Sequence, residues 1–156
     1  MNLDAIDRRI LKVLQARGRI ANNELAAEVG LSPSPCLRRV RQLEEAGVIE
    51  SYAAIVDPGK IGMGVTVFSR VYLTGQDGDQ VNHFIEEVRK LKQVVECHLV
   101  AGDYDFMLKV VAEDLYAYRQ FQAEKLARIK GVQNVKSVIP MQQIKLTWEM
   151  PLAPDA

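Results

Sequence analysis

The sequence predicts an α+β protein in two parts, a helix-turn-helix domain with a wing and then a βαββαβ module. Three observations carry this. Up to about residue 46, apolar residues recur at three- and four-residue steps, the period of a helix with one buried face. From residue 65, β-rich stretches and helical stripes follow in the order β-α-β-β-α-β, the ferredoxin-like plan. Between them, Pro58, Gly59, Gly62 and Gly64 mark a break. The expected division is a helix-turn-helix domain at 1–56, a linker at 57–64 and a second domain at 65–150.

In the first helix Leu3, Ile6, Ile10, Val13 and Leu14 share a face, Asp4 and Asp7 sit in the first turn, and Gly18 ends it. A second helix starts near Asn22, turns Leu25, Ala26 and Val29 inward, and stops at Gly30. The third has Ser32 as cap and Pro33 in its first position, and runs to about Ala46 before Gly47. Val48 to Val56 is β-leaning and reads as a short strand or hairpin, the wing. In the second part, Val65–Leu73, Val94–Val100 and Phe106–Val111 read as strands, and Val132–Trp148 as a last strand broken near Pro140. Val81, Phe84, Ile85, Val88 and Leu91 stripe one helix; Leu115, Tyr118, Phe121, Leu126 and Ile129 stripe another. The tail from Pro151 to Ala156 is expected to fray.

Composition narrows the function classes. The 156 residues are 48% hydrophobic and 26% charged, as in ordinary globular proteins. No apolar run nears the roughly 20 residues of a membrane-spanning helix. Met1-Asn2-Leu3-Asp4 is polar with no signal-peptide core behind it, and Cys36 and Cys97 cannot build a disulfide framework. The expected location is cytoplasmic. Twenty basic and twenty acidic residues cancel, so any nucleic-acid face must be local. Arg8, Arg9, Lys12, Arg17 and Arg19 run with no acid between them, as do Arg38, Arg39 and Arg41.

The third helix carries the sharpest signal. At 100° per residue, Cys36, Val40 and Leu43 share one face, with Leu37 and Glu44 on its shoulder. Ser34, Arg38 and Arg41 fall opposite, and Arg39 on the other shoulder. A hydroxyl and two guanidiniums on the N-terminal half of such a helix suit the major groove, where Arg takes phosphate or the guanine edge. Ser32, Pro33 and the helix start are placed for phosphate. Taken alone, such a face is more often a solvated one; the preceding helix, tight turn and wing favour DNA.

Elsewhere the chemistry is sparse. His83 and His98 are the only histidines, and Cys97-His98 lacks zinc-ligand spacing. Gly62-Met63-Gly64 lacks a third glycine and a preceding strand. No catalytic constellation and no metal site is expected. Gly102-Asp103-Tyr104-Asp105 joins two strands; its backbone N–H groups suit a carboxylate and an Asp suits an ammonium, although Gly and Asp are also what a plain turn contains.

Two stretches resemble the Lrp/AsnC family of transcription regulators. Leu31-Ser32-Pro33-Ser34-Pro35-Cys36-Leu37-Arg38-Arg39-Val40 is similar to the family's recognition-helix signature, and Glu96 to Asp105 to its effector-domain signature. The likeness runs from about Leu3 to Lys145 and is closest to the leucine-responsive branch. It implies a DNA-binding helix-turn-helix and an ACT-like effector module that dimerises through its sheet, often on to octamers. It maps the effector site onto Gly102, Asp103, Tyr104 and Asp105, with Ala127, Val138, Ile139 and Pro140 around the ligand. The apolar mapped wall favours leucine or methionine. Two other readings are a nucleoid-organising protein without effector control and an ACT-like regulatory subunit of a metabolic enzyme.

Overall fold

A computed structural model describes residues 2–152 and divides the chain into two compact units, the break falling between Ile55 and Val56. The first unit holds α1 (Ala5–Ala16), α2 (Asn22–Val29) and α3 (Pro33–Glu45). Asp4 caps α1: its carboxylate accepts from the Ile6 and Asp7 N–H groups, and the Asp7 carboxylate accepts from Asp4 N in return. Gly30 ends α2 in the left-handed conformation that the tight turn demands (φ 75°). Asn22, expected as a cap, is instead the first helical residue, and its amide donates to Pro33 O at 2.9 Å, tying the two helix starts together. Ile10, Leu11, Leu25, Ala26, Val29, Cys36, Val40 and Leu43 form the core.

The wing strand does not form. Val48 and Ile49 N–H groups both fold back on Leu43 O, and Tyr52 Oη donates to Glu44 at 2.9 Å. A ladder needs a returning partner, and the next ordered piece is a 3₁₀ turn at Gly59–Ile61 instead. The last strand, expected to run on to Trp148, ends at Val138, and none resumes after Pro140 among the described residues. From Ile144 the chain groups with the helical unit. Gln15 donates to Met150 O and accepts from Met150 N, and Leu152 packs against the helical core. Of the tail expected to fray, 153–156 lie outside the described residues.

The second unit is β1 (Val65–Leu73), α4 (Gly78–Val88), β2 (Val94–Leu99), β3 (Phe106–Ala112), α5 (Leu115–Phe121) and β4 (Val132–Val138). The sheet runs β2-β3-β1-β4 with every neighbour antiparallel, the ferredoxin-like arrangement. Strand alternation sends Val67, Ser69, Val71 and Leu73 to the helix side with Phe106, Leu108 and Val110. Phe84 of α4 meets Phe106 with ring centroids 4.5 Å apart. The other face of β1 and β3 carries Phe68, Arg70, Tyr72, Met107 and Lys109, and no helix of this unit covers it.

The stripe read as one helix from Leu115 to Ile129 is interrupted. α5 gives way to a π turn at Gln122–Leu126, closed by Ala127 N on Gln122 O. Phe121 and Leu126 are five apart, which an α-helix would spread by about 140°. The wider turn brings both inward, whereas Leu115 is left exposed.

Candidate nucleic-acid interface and effector loop

Helix α3 presents two sharply different faces. Cys36, Val40 and Leu43 are buried against α1 and α2, and burial pushes the Cys36 thiol up, as befits an inert core residue. Ser34, Arg38 and Arg41 are exposed on the opposite side. An open groove runs along that side between Ser34, Leu37, Arg38, Arg41, Gln42 and Glu45. Leu37, placed on the inner shoulder by the helical wheel, is 39% exposed and joins the outward set. An apolar side chain beside two arginines suits a thymine methyl. Gln42, one turn past Arg38, lies on the same outward face, a position its i+4 spacing makes legible.

The start of α3 is unusual in its donors. Pro33 and Pro35 have no N–H, and Cys36 N donates to Ser32 O. Ser34 N has no acceptor among the described residues, and the Ser32 hydroxyl makes no capping bond. The donors at this end are therefore two N–H groups, of Ser32 and Ser34, and their two hydroxyls. Pro33 contributes backbone shape rather than a donor.

Arg39 stands apart from its neighbours. Its Nη1 lies 2.8 Å from both Asp4 Oδ2 and Asp7 Oδ1. Asp7 is buried, so the guanidinium neutralises a carboxylate inside the first unit and clamps α3 to the start of α1. The pairing holds Arg39 above its usual value, first through Asp7, and Asp4 below the ordinary carboxylate range, first through the Asp7 N–H and then through Arg39. Arg39, one of the residues expected to meet DNA, is thus ion-paired within the chain.

In the second unit, Gly102 to Asp105 forms the β2–β3 loop. Gly102 and Asp103 are exposed, and Tyr104 and Asp105 half-buried. The N–H groups of Gly102, Asp103 and Tyr104 have no acceptor among the described residues. A Cβ on Gly102 would meet nothing within 4 Å inside the single chain. Tyr104 lies under the Arg70 guanidinium, 5.2 Å from its ring centre, and 6.3 Å from the Tyr72 ring. Asp105 accepts at both oxygens: Leu73 N donates to Oδ2 at 2.7 Å and Gln76 Nε2 to Oδ1 at 2.9 Å.

The remaining mapped residues are elsewhere. Val138 is 41% and Ile139 52% exposed, with Pro140 exposed beyond them. Val138 pairs with Phe68, whereas the effector loop adjoins Leu73 at the far end of β1. Five residues of strand separate the two, about 17 Å at 3.4 Å per residue. Ala127 closes the π turn and is exposed. The chain thus does not bring Gly102–Asp105 and Val138–Pro140 together. Among the described residues no cluster of His, Cys, Asp or Glu could hold a metal, and no helix is long and apolar enough to cross a membrane.

Comparison with known proteins follows the same two parts. Residues 3–50 match the family described as winged helix-turn-helix DNA-binding, and residues 66–150 the Lrp/AsnC ligand binding domain. The chain belongs to the Lrp/AsnC family of transcriptional regulators. It is 43% identical over 144 residues to the leucine-responsive regulatory proteins of Klebsiella pneumoniae and Escherichia coli K12, covering 92% of this chain and 88% of each relative. Among solved structures, a Neisseria meningitidis transcriptional regulator in complex with L-Met superposes with a TM-score of 0.92 at 39% identity, over 96% of this chain and 97% of that one. Escherichia coli AsnC gives 0.89 at 26% identity, over 97% and 100%. The Lrp/AsnC fold therefore places a DNA-reading helix in one unit and a ligand-binding module in the other.

Proposed function

We propose that this Lrp/AsnC regulator binds specific double-stranded DNA through the outward face of α3, under control of an amino acid held by the second unit. The observation that carries the DNA reading is the exposure of Ser34, Arg38 and Arg41 opposite a fully buried Cys36–Val40–Leu43 face. The chain acts as a cytoplasmic regulator and not as an enzyme. Arg38 and Arg41 meet bases or phosphates, with Ser32, Pro33 and Ser34 setting the helix start against the backbone. Fluorescence anisotropy on operator DNA tests this: Arg38→Ala costs about 1–3 kcal/mol if it reads a base and less if it touches phosphate. Unchanged affinity in an Arg38→Ala, Arg41→Ala double variant would move the interface elsewhere.

The effector is an apolar amino acid, leucine or methionine, and its pocket is shared between subunits. The separation of about 17 Å between Gly102–Asp105 and Val138–Pro140 supports this, because one small ligand reaches both sets only where two copies meet. Unpartnered N–H groups at Gly102, Asp103 and Tyr104 suit the ligand carboxylate, and Ala127, Val138, Ile139 and Pro140 of a neighbouring copy suit its side chain. A homodimer through the open sheet face is the smallest assembly this requires, and four such dimers make an octamer. Control follows only if the ligand prefers one assembly or one DNA-binding state over another. A thermal-shift screen of the twenty amino acids is the direct test. Binding of none, with DNA affinity intact, favours a nucleoid-organising protein.

A further inference from the structure

We infer that Asp105 is a positioning residue, holding the effector loop in shape through its two hydrogen bonds rather than meeting the ligand's ammonium. This rests on the effector reading above and deepens it. The end of β1 lacks a partner strand on one side. Its pairing with β3 stops at Val71–Phe106, and its pairing with β4 shifts register between Tyr72 and Leu73. A continued ladder would offer Leu73 N–H a backbone carbonyl from β3. There the chain has already turned into the β2–β3 loop, and the Asp105 side chain supplies the acceptor instead, at 2.7 Å. Its own main chain is fixed too: Asp105 N donates to Val71 O and Asp105 O accepts from Val100 N, each at 3.0 Å.

The second carboxylate oxygen reaches Gln76 in the loop between β1 and α4. That loop is held on its other side, where Thr74 N donates to Gly131 O at 2.8 Å and Thr74 Oγ1 to Gln80 at 3.0 Å. Asp77 caps α4 at Gln80 N. Asp105 is thus the joint through which the effector loop is fastened to β1, to the start of α4 and, by way of Thr74, to the turn before β4. Each of its two oxygens already accepts from an internal donor, which fixes the orientation of the carboxylate. The exposed carboxylate of the loop is Asp103, which has no hydrogen-bond partner among the described residues.

Charge and geometry separate the two roles. In Asp105→Asn, the amide oxygen accepts from Leu73 N while the amide nitrogen donates to Gln76, whose own amide turns over to accept. The latch survives and the negative charge is gone. Asp105→Ala removes both. The experiment measures leucine and methionine binding to the full chain by calorimetry, with amide exchange at Leu73 by NMR, for wild type, Asp105→Asn, Asp105→Ala and Gln76→Ala. The expected result is affinity within about threefold of wild type for Asp105→Asn, a loss of tenfold or more for Asp105→Ala, and an intermediate loss for Gln76→Ala. Leu73 exchange should accelerate only where the acceptor is missing. Tenfold weaker binding in Asp105→Asn with Leu73 still protected would overturn the inference and make the carboxylate an ammonium ligand. If wild type binds neither amino acid, the leucine-or-methionine reading fails, and the latch is judged on Leu73 alone: equal protection in Asp105→Ala and wild type refutes it.

Discussion

Arg39 and Arg38 are neighbours in sequence with different work to do. Arg38 faces outward, and Arg39 is bound to Asp4 and Asp7. Arg39→Ala should therefore weaken DNA binding by letting α3 shift, without changing how affinity depends on salt. Arg38→Ala or Arg41→Ala should lower the salt slope by about one where the lost contact is to phosphate. Anisotropy titrations across a salt series distinguish the two. Arg39→Ala also strands a buried carboxylate, at a cost of about 1–3 kcal/mol in denaturant unfolding. The same clamp has a pH signature. Asp4 is held below its ordinary 3.8, so its contribution is complete above that pH and is lost as pH falls through the lowered value. Asp4→Asn should flatten the acid limb of the unfolding curve below about pH 4, followed by circular dichroism.

Elements show how a local pattern is finished by packing. The π turn after α5 keeps Tyr118, Phe121, Leu126 and Ile129 on one face even though their spacing breaks the helical period. Within that face Tyr118 Oη lies 2.9 Å from Ser69 Oγ, which is fully buried, and 2.5 Å from Ser137 Oγ. The central strand β1, the edge strand β4 and a helix thus share one hydroxyl chain. Tyr118→Phe keeps the ring and leaves the Ser69 hydroxyl without that partner, so unfolding of the full chain should lose about 1–3 kcal/mol. Ser69→Ala in the same background should recover most of the loss, because the stranded group is then gone.

At the scale of the molecule, the second unit covers one side of its sheet with helices and leaves Phe68, Tyr72 and Met107 on the other. That side also carries Arg70 and Lys109, so a partner surface there must be apolar at its centre and able to satisfy charge. Light scattering of the wild type should give a multiple of the single-chain mass at micromolar concentration. Phe68→Asp should shift it toward the single chain, because a lone carboxylate in an apolar interface is costly. The effector response should fall with it, since the pocket proposed here needs two copies.

Much of this was readable from residue order. The turn at Gly30, the proline start of α3, its Cys36–Val40–Leu43 inner face and the βαββαβ order all follow from short-range periodicity and backbone preference, which act within a few residues. The motifs around Ser32–Val40 and Glu96–Asp105 carried the family. What depended on contacts across the chain was not readable. Arg39 looks like any basic residue of α3 until Asp4 and Asp7, more than thirty positions earlier, fold beside it. The hydrogen bond from Leu73 N–H to Asp105 joins residues thirty-two positions apart and has no signature in the sequence. Val48–Val56 has the composition of a strand, but composition supplies no pairing partner. Sequence alone determined the three helices of the first unit, the βαββαβ order of the second and which faces are apolar, because those rest on local energies. The tertiary structure decided which charged groups are free for a ligand and which are consumed internally, because an ion pair or hydrogen bond depends on distance in space.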